Sequence, residues 1–163
     1  MKRFGAASLI LLLTGCLYSL SSGGGLPSHV KSVAVIPFEN ETTSSELTLE
    51  LQQILRKEIE GRLGLREAPE GRATAIVRGT ITKYEADVPI AFSADPAKST
   101  SARRKLQITV DVEIVDQTTG KTLFERRGLQ AEGEYPDRGE EGARKQALQK
   151  IVSDIIEGAQ SQW

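Results

Sequence analysis

The stretch LQITVDVEI, residues 106–114, alternates apolar and polar side chains from its first residue to its last. Successive side chains of an extended chain point to opposite sides, so the aliphatic residues share one side and the polar ones, such as Asp111 and Glu113, share the other. This pattern predicts a β-strand with one face in the core and the other in water. A sheet built on this strand needs a second layer over its apolar face.

The segment after this strand predicts a hairpin. Residues 116–121, DQTTGK, are typical of a tight connection, and residues 122–133 follow as the return strand. The return strand alternates less regularly and contains Gly128 in its interior. We therefore expect it at the edge of the sheet, with a bulge.

The segment before residue 106 predicts another long strand. Over residues 73–88, Val77 and Gly79 fall on one face and Tyr84 on the other, and Gly79 is expected to let a helix come close. Residues 89–101 are rich in Ala, Ser, Asp and Pro and have no periodicity. They predict a mobile loop.

A shorter strand begins the folded region. Residues 31–36, KSVAVI, are β-branched and apolar, which is typical of a strand buried on nearly both faces, and Pro37 ends it. The polar residues 38–45 predict a loop. We expect the hydroxyl of Ser44 or Ser45 to cap the helix that follows.

Two segments carry the periodicity of amphipathic helices. Leucine and isoleucine recur every four residues from Leu47 to Leu63, and this helix is predicted to end at the glycines of residues 61–64. A similar apolar stripe predicts a second helix over residues 139–158. Both helices therefore have one apolar side to bury.

The element order β-α-β-β-β-α predicts an α+β fold. The economical arrangement is a two-layer sandwich with two helices on one face of a four-stranded mixed sheet. The chain of 163 residues, 39% hydrophobic, is long enough to bury one core without disulfides or metals. We predict a single domain over residues 30–163.

The N-terminus predicts secretion and lipidation. Lys2 and Arg3 precede an apolar run of about ten residues, which is typical of a signal peptide and too short to span a bilayer. The run ends in LTGC, which resembles the bacterial lipobox and implies cleavage after residues 1–15 and acylation of Cys16. The Ser- and Gly-rich residues 16–29 then predict a flexible spacer. Leu17, rather than aspartate, resembles an outer-membrane address.

Composition argues against several function classes. A net charge of −1 gives no basic field for nucleic acid, so no nucleic-acid partner is expected. His29 is the only histidine, and we interpret it as a surface imidazole rather than a catalytic base. Cys16 is the only cysteine, so no His/Cys cluster is available to bind a metal. We predict a protein without catalytic residues, metals or cofactors.

One cluster of cations has two interpretations. Arg103, Arg104 and Lys105 stand where the predicted loop enters the best strand, and Arg138 lies before the last helix. Such charges often keep an exposed strand edge from pairing. Alternatively they contact an anionic ligand, and lipopolysaccharide phosphate is the abundant one at an outer membrane.

The stretch LPSHVKSVAVIPFENET, residues 26–42, resembles the opening of the lipopolysaccharide-assembly lipoprotein family, LptE. The likeness includes Tyr18 soon after the cysteine, and it continues through residues 76–82, residues 107–115, the TGKTL stretch and the last helix. The strand-Pro-Phe-Glu-Asn stretch also resembles curli-secretion and peptidoglycan-synthase-activator lipoproteins.

The resemblance implies a non-enzymatic outer-membrane lipoprotein, held by its lipid anchor on the periplasmic side. Such a protein plugs the β-barrel of the lipopolysaccharide translocon, an LptD-like subunit, helps the barrel to assemble and contacts lipopolysaccharide. The other resemblance implies activation of a peptidoglycan synthase or service to a secretion pore. The polar face of residues 107–113 is compatible with a polar barrel lumen.

Overall fold

The computed structural model describes residues 26–89, 104–136 and 139–162. Its strands are β1 (Ser32–Val35), β2 (Glu39–Asn40), β3 (Arg66–Glu67), β4 (Ala75–Pro89), β5 (Arg104–Asp116) and β6 (Thr122–Tyr135). Its helices are α1 (Glu46–Glu58) and α2 (Glu140–Ser161), with one π-turn at Ile59–Leu63 and one 3-10 turn at Glu70–Arg72. The α+β class is confirmed, and the helices have the predicted stripes.

The sheet is mixed, with strand order β3-β1-β4-β5-β6 and with β2 paired to β4 beyond the end of β1. The pairs among β1, β2, β3 and β4 are parallel, whereas β4, β5 and β6 form an antiparallel meander. The sheet has six strands instead of four, because two-residue strands β2 and β3 lie in stretches too short for periodicity to reveal.

Both helices pack on one side of the sheet, which we call the covered face. Alternate residues of β5 fill this side, from Leu106 to Ile114, and each is at most 2% exposed. Leu51 of α1 and Ile151 of α2 are fully buried against them. Burying each such side chain contributes about 1.5–3 kcal/mol, so this layer is the main source of stability.

The helix boundaries are confirmed, but the expected serine cap is wrong. α1 leads into the π-turn and ends at Gly64, whose φ of 65° is left-handed. No side-chain hydrogen bond caps α1 at Ser45. Instead Asn40 orders the entry, because its amide donates to the Ser44 carbonyl and its oxygen accepts from Thr42.

Gly79 permits a close approach, but not by a helix. A Cβ there would lie 2.1 Å from the backbone oxygen of Asp111 and 2.5 Å from the Phe38 ring. Phe38 follows the proline that ends β1 and lays its buried ring over β4. The glycine is therefore explained by an aromatic ring and a neighbouring strand.

The predicted face of Tyr84 is wrong. The register of β4 against β5 shifts between Ile81 and Lys83, and this bulge reverses the alternation beyond it. Tyr84 therefore pairs with buried Ile108 and packs against the core. The loop predicted over residues 89–101 falls outside the described residues apart from Pro89, which ends β4.

The hairpin is confirmed as predicted. β6 is the last strand in the order of the sheet, and its register against β5 shifts between Val110 and Val112. Gly128 lies within that bulge with a φ of 64°, a left-handed conformation that suits glycine. Gly120, with a φ of 70°, closes the turn between the two strands.

Candidate functional site

The side of the sheet opposite the helices, which we call the open face, is polar along its length. Cross-strand partners share a face, so the register places successive rows of side chains across β4, β5 and β6. The rows are Arg78, Glu113 and Glu125; Thr80 and Asp111; Lys83, Thr109 and Gln130; Glu85, Gln107 and Glu132; and Val88, Lys105 and Glu134. Among the described residues, no helix covers this face.

Ion pairs connect neighbouring strands on the open face. Arg78 donates to Glu113 from Nε at 3.0 Å and from Nη2 at 2.9 Å, and these hydrogen bonds are the main reason why the pKa of Glu113 is lowered. Lys105 Nζ lies 2.7 Å from Glu132 Oε1, joining β5 to β6. Two further pairs lie within single strands, Lys83–Glu85 at 2.9 Å and Arg127–Glu125 at 3.0 Å.

A groove of about 390 Å³ lies at one end of the open face. It forms where Pro37 interrupts the strand direction between β1 and β2, beside the Arg78–Glu113 pair. Glu39, Asp111 and Arg127 also line it. The groove therefore presents charged groups of both signs.

Thr109 lies at the centre of the open face. Only 8% of the residue is exposed, although sequence alternation predicts it in water. Its hydroxyl oxygen is buried and has no hydrogen-bond partner among the described atoms. The neighbouring long side chains of Lys83 and Gln130, its partners in register, flank it on both sides. An unpaired buried hydroxyl is costly, so this position differs from an ordinary solvated threonine.

The chain enters the domain beside the β5–β6 turn. His29 Nε2 lies 2.7 Å from Asp116 Oδ2, joining residues 87 positions apart in the sequence. Asp116 is 1% exposed, and it also accepts from the Thr119 hydroxyl at 2.6 Å and the Thr118 amide at 2.8 Å. The Thr119 hydroxyl and, to a lesser degree, His29 hold the pKa of Asp116 well below its usual range.

The predicted basic residues lie at the opposite end of the hairpin. Arg104 pairs in register with Tyr135, so the start of β5 lies opposite the end of β6. Arg104 Nη1 lies 3.0 Å from Asp87, and Lys105 pairs with Glu132. Arg103, Arg138 and the predicted lipidation site Cys16 lie outside the described residues.

A polar network locks the two helices together at that same end. Arg144 of α2, with 12% of its side chain exposed, donates to Glu50 of α1 at 2.9 and 3.0 Å. Tyr84 of β4 donates to Glu140 at 2.6 Å. Burial and this bond to Glu140 raise the pKa of Tyr84, and the Glu50 carboxylate raises the pKa of Arg144. These groups are engaged with one another and serve to position the helices.

The described residues offer no metal centre and no membrane span. No group of three or more His, Cys, Asp or Glu side chains within those ranges could hold a metal ion. Neither helix of the described part of the chain is long and apolar enough to cross a bilayer. What the described residues offer is a wide, charged surface on one side of the sheet.

Sequence reasoning missed two features of this surface. The DQTT stretch, an aspartate followed by threonines, does indicate a side chain that organises its own turn, which is the role Asp116 plays. The contact between Asp116 and His29 could not be predicted from neighbouring residues, because the two are 87 positions apart in the sequence and meet only in the folded chain. The ion pairs across strands depend on a register that bulges shift, so only their common face was predictable.

Several solved structures share this fold. A PelC dodecamer from Paraburkholderia phytofirmans is 16% identical, with 86% of this chain and 95% of that chain covered and a TM-score of 0.53. The hypothetical protein CT253 from Chlamydia trachomatis is 10% identical, with 80% and 98% covered and a TM-score of 0.54. The uncharacterized lipoprotein B from Nitrosomonas europaea is 11% identical, with 88% and 89% covered and a TM-score of 0.54. No curated protein sequence matches the chain.

The elements define a small α+β domain whose fold is similar to that of these proteins, with a helical layer on one side of the sheet and a polar face on the other. The family described as lipopolysaccharide-assembly, LptE, matches residues 30–158. The chain therefore belongs to the LptE family, and the resemblance seen in the sequence is confirmed.

Proposed function

We propose that this chain is an outer-membrane lipoprotein, anchored through Cys16 on the periplasmic side, that serves as plug and assembly partner of the lipopolysaccharide translocation β-barrel. The observation on which the proposal rests is the family match over residues 30–158. The polar open face supports it, because a domain enclosed in a water-filled barrel needs a hydrophilic contact surface. In this proposal the protein assists lipopolysaccharide insertion without catalysis. Residues 1–15 are the signal peptide, residues 16–29 the spacer and residues 30–163 the single domain.

Affinity purification tests this partnership. The tagged full-length chain is isolated from outer membranes of cells that make it, and bound proteins are identified by mass spectrometry. We expect a large β-barrel of the LptD-like class and an acylated Cys16. Absence of any such barrel contradicts the proposal, whereas ring-shaped oligomers or a peptidoglycan synthase in the eluate would favour the alternative drawn from the sequence.

The basic end of the hairpin is the proposed contact for lipopolysaccharide. Arg104 and Lys105 begin β5 opposite the end of β6. Arg103 and Arg138 follow these two strand ends closely in the sequence and complete the proposed contact. Arginine is suited to phosphate because its planar donors bind two oxygens at once. Asp87 and Glu132 pair with Arg104 and Lys105, so a phosphate has to displace these carboxylates.

Charge reversal tests this contact. We expect the variant R103E/R104E/K105E to bind lipopolysaccharide about tenfold more weakly than the native chain, a change of about 1.4 kcal/mol. The matched control reverses the other arginine pair of the hairpin, R126E/R127E. Both are compared by titration with lipopolysaccharide after circular dichroism has verified folding. Equal binding by the folded triple variant and the native chain would remove these residues from the site.

A further inference from the structure

The basic groups of the open face are already neutralised within that face. Each of the four cations that β4, β5 and β6 place on this face has a carboxylate partner on the same side of the sheet: Arg78 with Glu113, Lys83 with Glu85, Lys105 with Glu132, and Arg127 with Glu125. An anionic ligand that approaches this side therefore meets cations whose charge is balanced. It gains little from them unless it breaks these pairs.

Further carboxylates leave the face with a negative excess. Glu39 pairs in register with Thr80, so its exposed side chain shares the face and lines the same groove. Asp111 accepts from the Gly128 amide at 2.7 Å, a neutral donor that does not cancel its charge. Over the described residues of β2, β4, β5 and β6, acidic groups on the open face therefore outnumber basic ones.

A second, independent feature indicates a missing partner at the same place. Thr109 lies in the middle of this acidic surface, is 92% buried, and keeps a hydroxyl without a hydrogen-bond partner among the described atoms. Such groups are few in native folds, and a partner that completes the hydrogen bond is one explanation for this one. The hydroxyl can both donate and accept, so a polar side chain from outside satisfies it.

We propose that the open face docks a protein surface rich in arginine and lysine. This inference rests on the proposed function: the arginines and lysines belong to the wall of the barrel where it faces β4, β5 and β6. Charge complementarity of this kind accelerates association and excludes partners of the wrong sign. A second copy of this chain would place the same acidic face against itself, and lipopolysaccharide phosphates would be repelled everywhere on this face except at its basic end beside Lys105.

Photo-crosslinking of the full-length chain in its own membrane tests which side docks. A photoreactive amino acid replaces Gln130, exposed on the open face, or as matched control Gln146, exposed on α2. We expect position 130 to crosslink to barrel peptides that contain Arg or Lys, and position 146 to give at most a trace. Crosslinks from position 130 to lipopolysaccharide, to a second copy, or to barrel peptides without basic residues would overturn the inference.

Charge reversal gives a second measurement. The variant E39K/E125K makes the open face basic, and the control E60K/E141K makes the same change in net charge on exposed residues of the π-turn and α2. We expect E39K/E125K to retain about tenfold less barrel than the native chain, with the control unchanged. If E39K/E125K does not fold by circular dichroism, the crosslinking result decides.

The outcomes separate the two proposals. If the native chain captures the barrel and folded E39K/E125K captures it equally well, the inference about the open face is wrong while the proposed function stands. If the native chain captures no barrel at all, the proposed function itself fails.

Discussion

The covered face and the open face use alternate residues of the same strands, yet they are held in different ways. On the covered face, Ile108 and Val110 are fully buried, and Gly133 lets α2 come within contact of the sheet. On the open face, charged side chains between 26% and 82% exposed form ion pairs. Close packing therefore stabilises the covered face, whereas exposed ion pairs contribute little to the stability of the open face.

The largest loss of stability is expected from a cavity on the covered face. Ile151→Ala removes a fully buried side chain of α2, and we expect the free energy of unfolding to fall by about 2–5 kcal/mol. Lys150→Ala, the exposed neighbour, should change it by less than about 0.5 kcal/mol. Urea denaturation measures both. A loss under about 1 kcal/mol for the isoleucine variant would show that the helical layer is not the core.

A smaller effect is expected where α2 approaches β6 most closely. Gly133→Ala places a Cβ 2.4 Å from the backbone oxygen of Ala143, so the helix must shift, at a cost of about 1–3 kcal/mol. Gly142→Ala is the control, because nothing lies within 4 Å of that Cβ and alanine favours a helix by about 0.5–1 kcal/mol. The melting temperature should therefore fall for Gly133→Ala and rise for Gly142→Ala. A change in the same direction for both variants would contradict the packing argument.

Acid should weaken the hydrogen bonds of Asp116, which hold the entry of the chain at the β5–β6 turn. The pKa of Asp116 is lower in the folded chain than in the unfolded one, so its stabilisation is complete above the unfolded value of about 3.9 and is lost as the pH falls through the folded value. We expect Asp116→Asn to lower the melting temperature at neutral pH and to flatten its decline below about pH 4. Parallel curves for the two proteins would contradict this role.

The smallest effect is expected on the open face. Arg78 and Glu113 are 61% and 29% exposed, and exposed ion pairs contribute about 0–1 kcal/mol. A double-mutant cycle with Arg78→Met and Glu113→Gln, followed by urea denaturation, should give a coupling energy within that range. A coupling above about 2 kcal/mol would mean that the open face is structural in the same sense as the covered one.

Much of the fold could be predicted because periodicity reports which side of an element is buried. The strand at residues 106–114 and the stripe of α2 follow this rule, and both are observed as predicted. Tyr84 does not follow this rule, because the bulge between Ile81 and Lys83 shifts the alternation of side chains beyond it. No residue type in the sequence indicates that bulge. The strands β2 and β3 are two residues long and rely on pairing partners distant in sequence.

The candidate site was less predictable because it depends on register. Arg78 and Glu113 could be placed on one face, but their contact requires knowing which residues of β4 and β5 stand opposite each other. The meeting of the segments around Arg104 and Tyr135 has the same origin. The pairing of charges on the open face therefore follows only from the assembled sheet, although each of the paired residues can be read in the sequence.

The contact between His29 and Asp116 holds the point where the chain enters the domain at one end of β5. Arg104 and Lys105 lie at the other end of the same strand. β5 has 13 residues, and at about 3.4 Å per residue its two ends lie about 40 Å apart. The hydrocarbon layer of a bilayer is about 30 Å thick. If the chain is held at a membrane through its N-terminal side, Arg104 and Lys105 lie farther from the point of entry at His29 than that layer is thick.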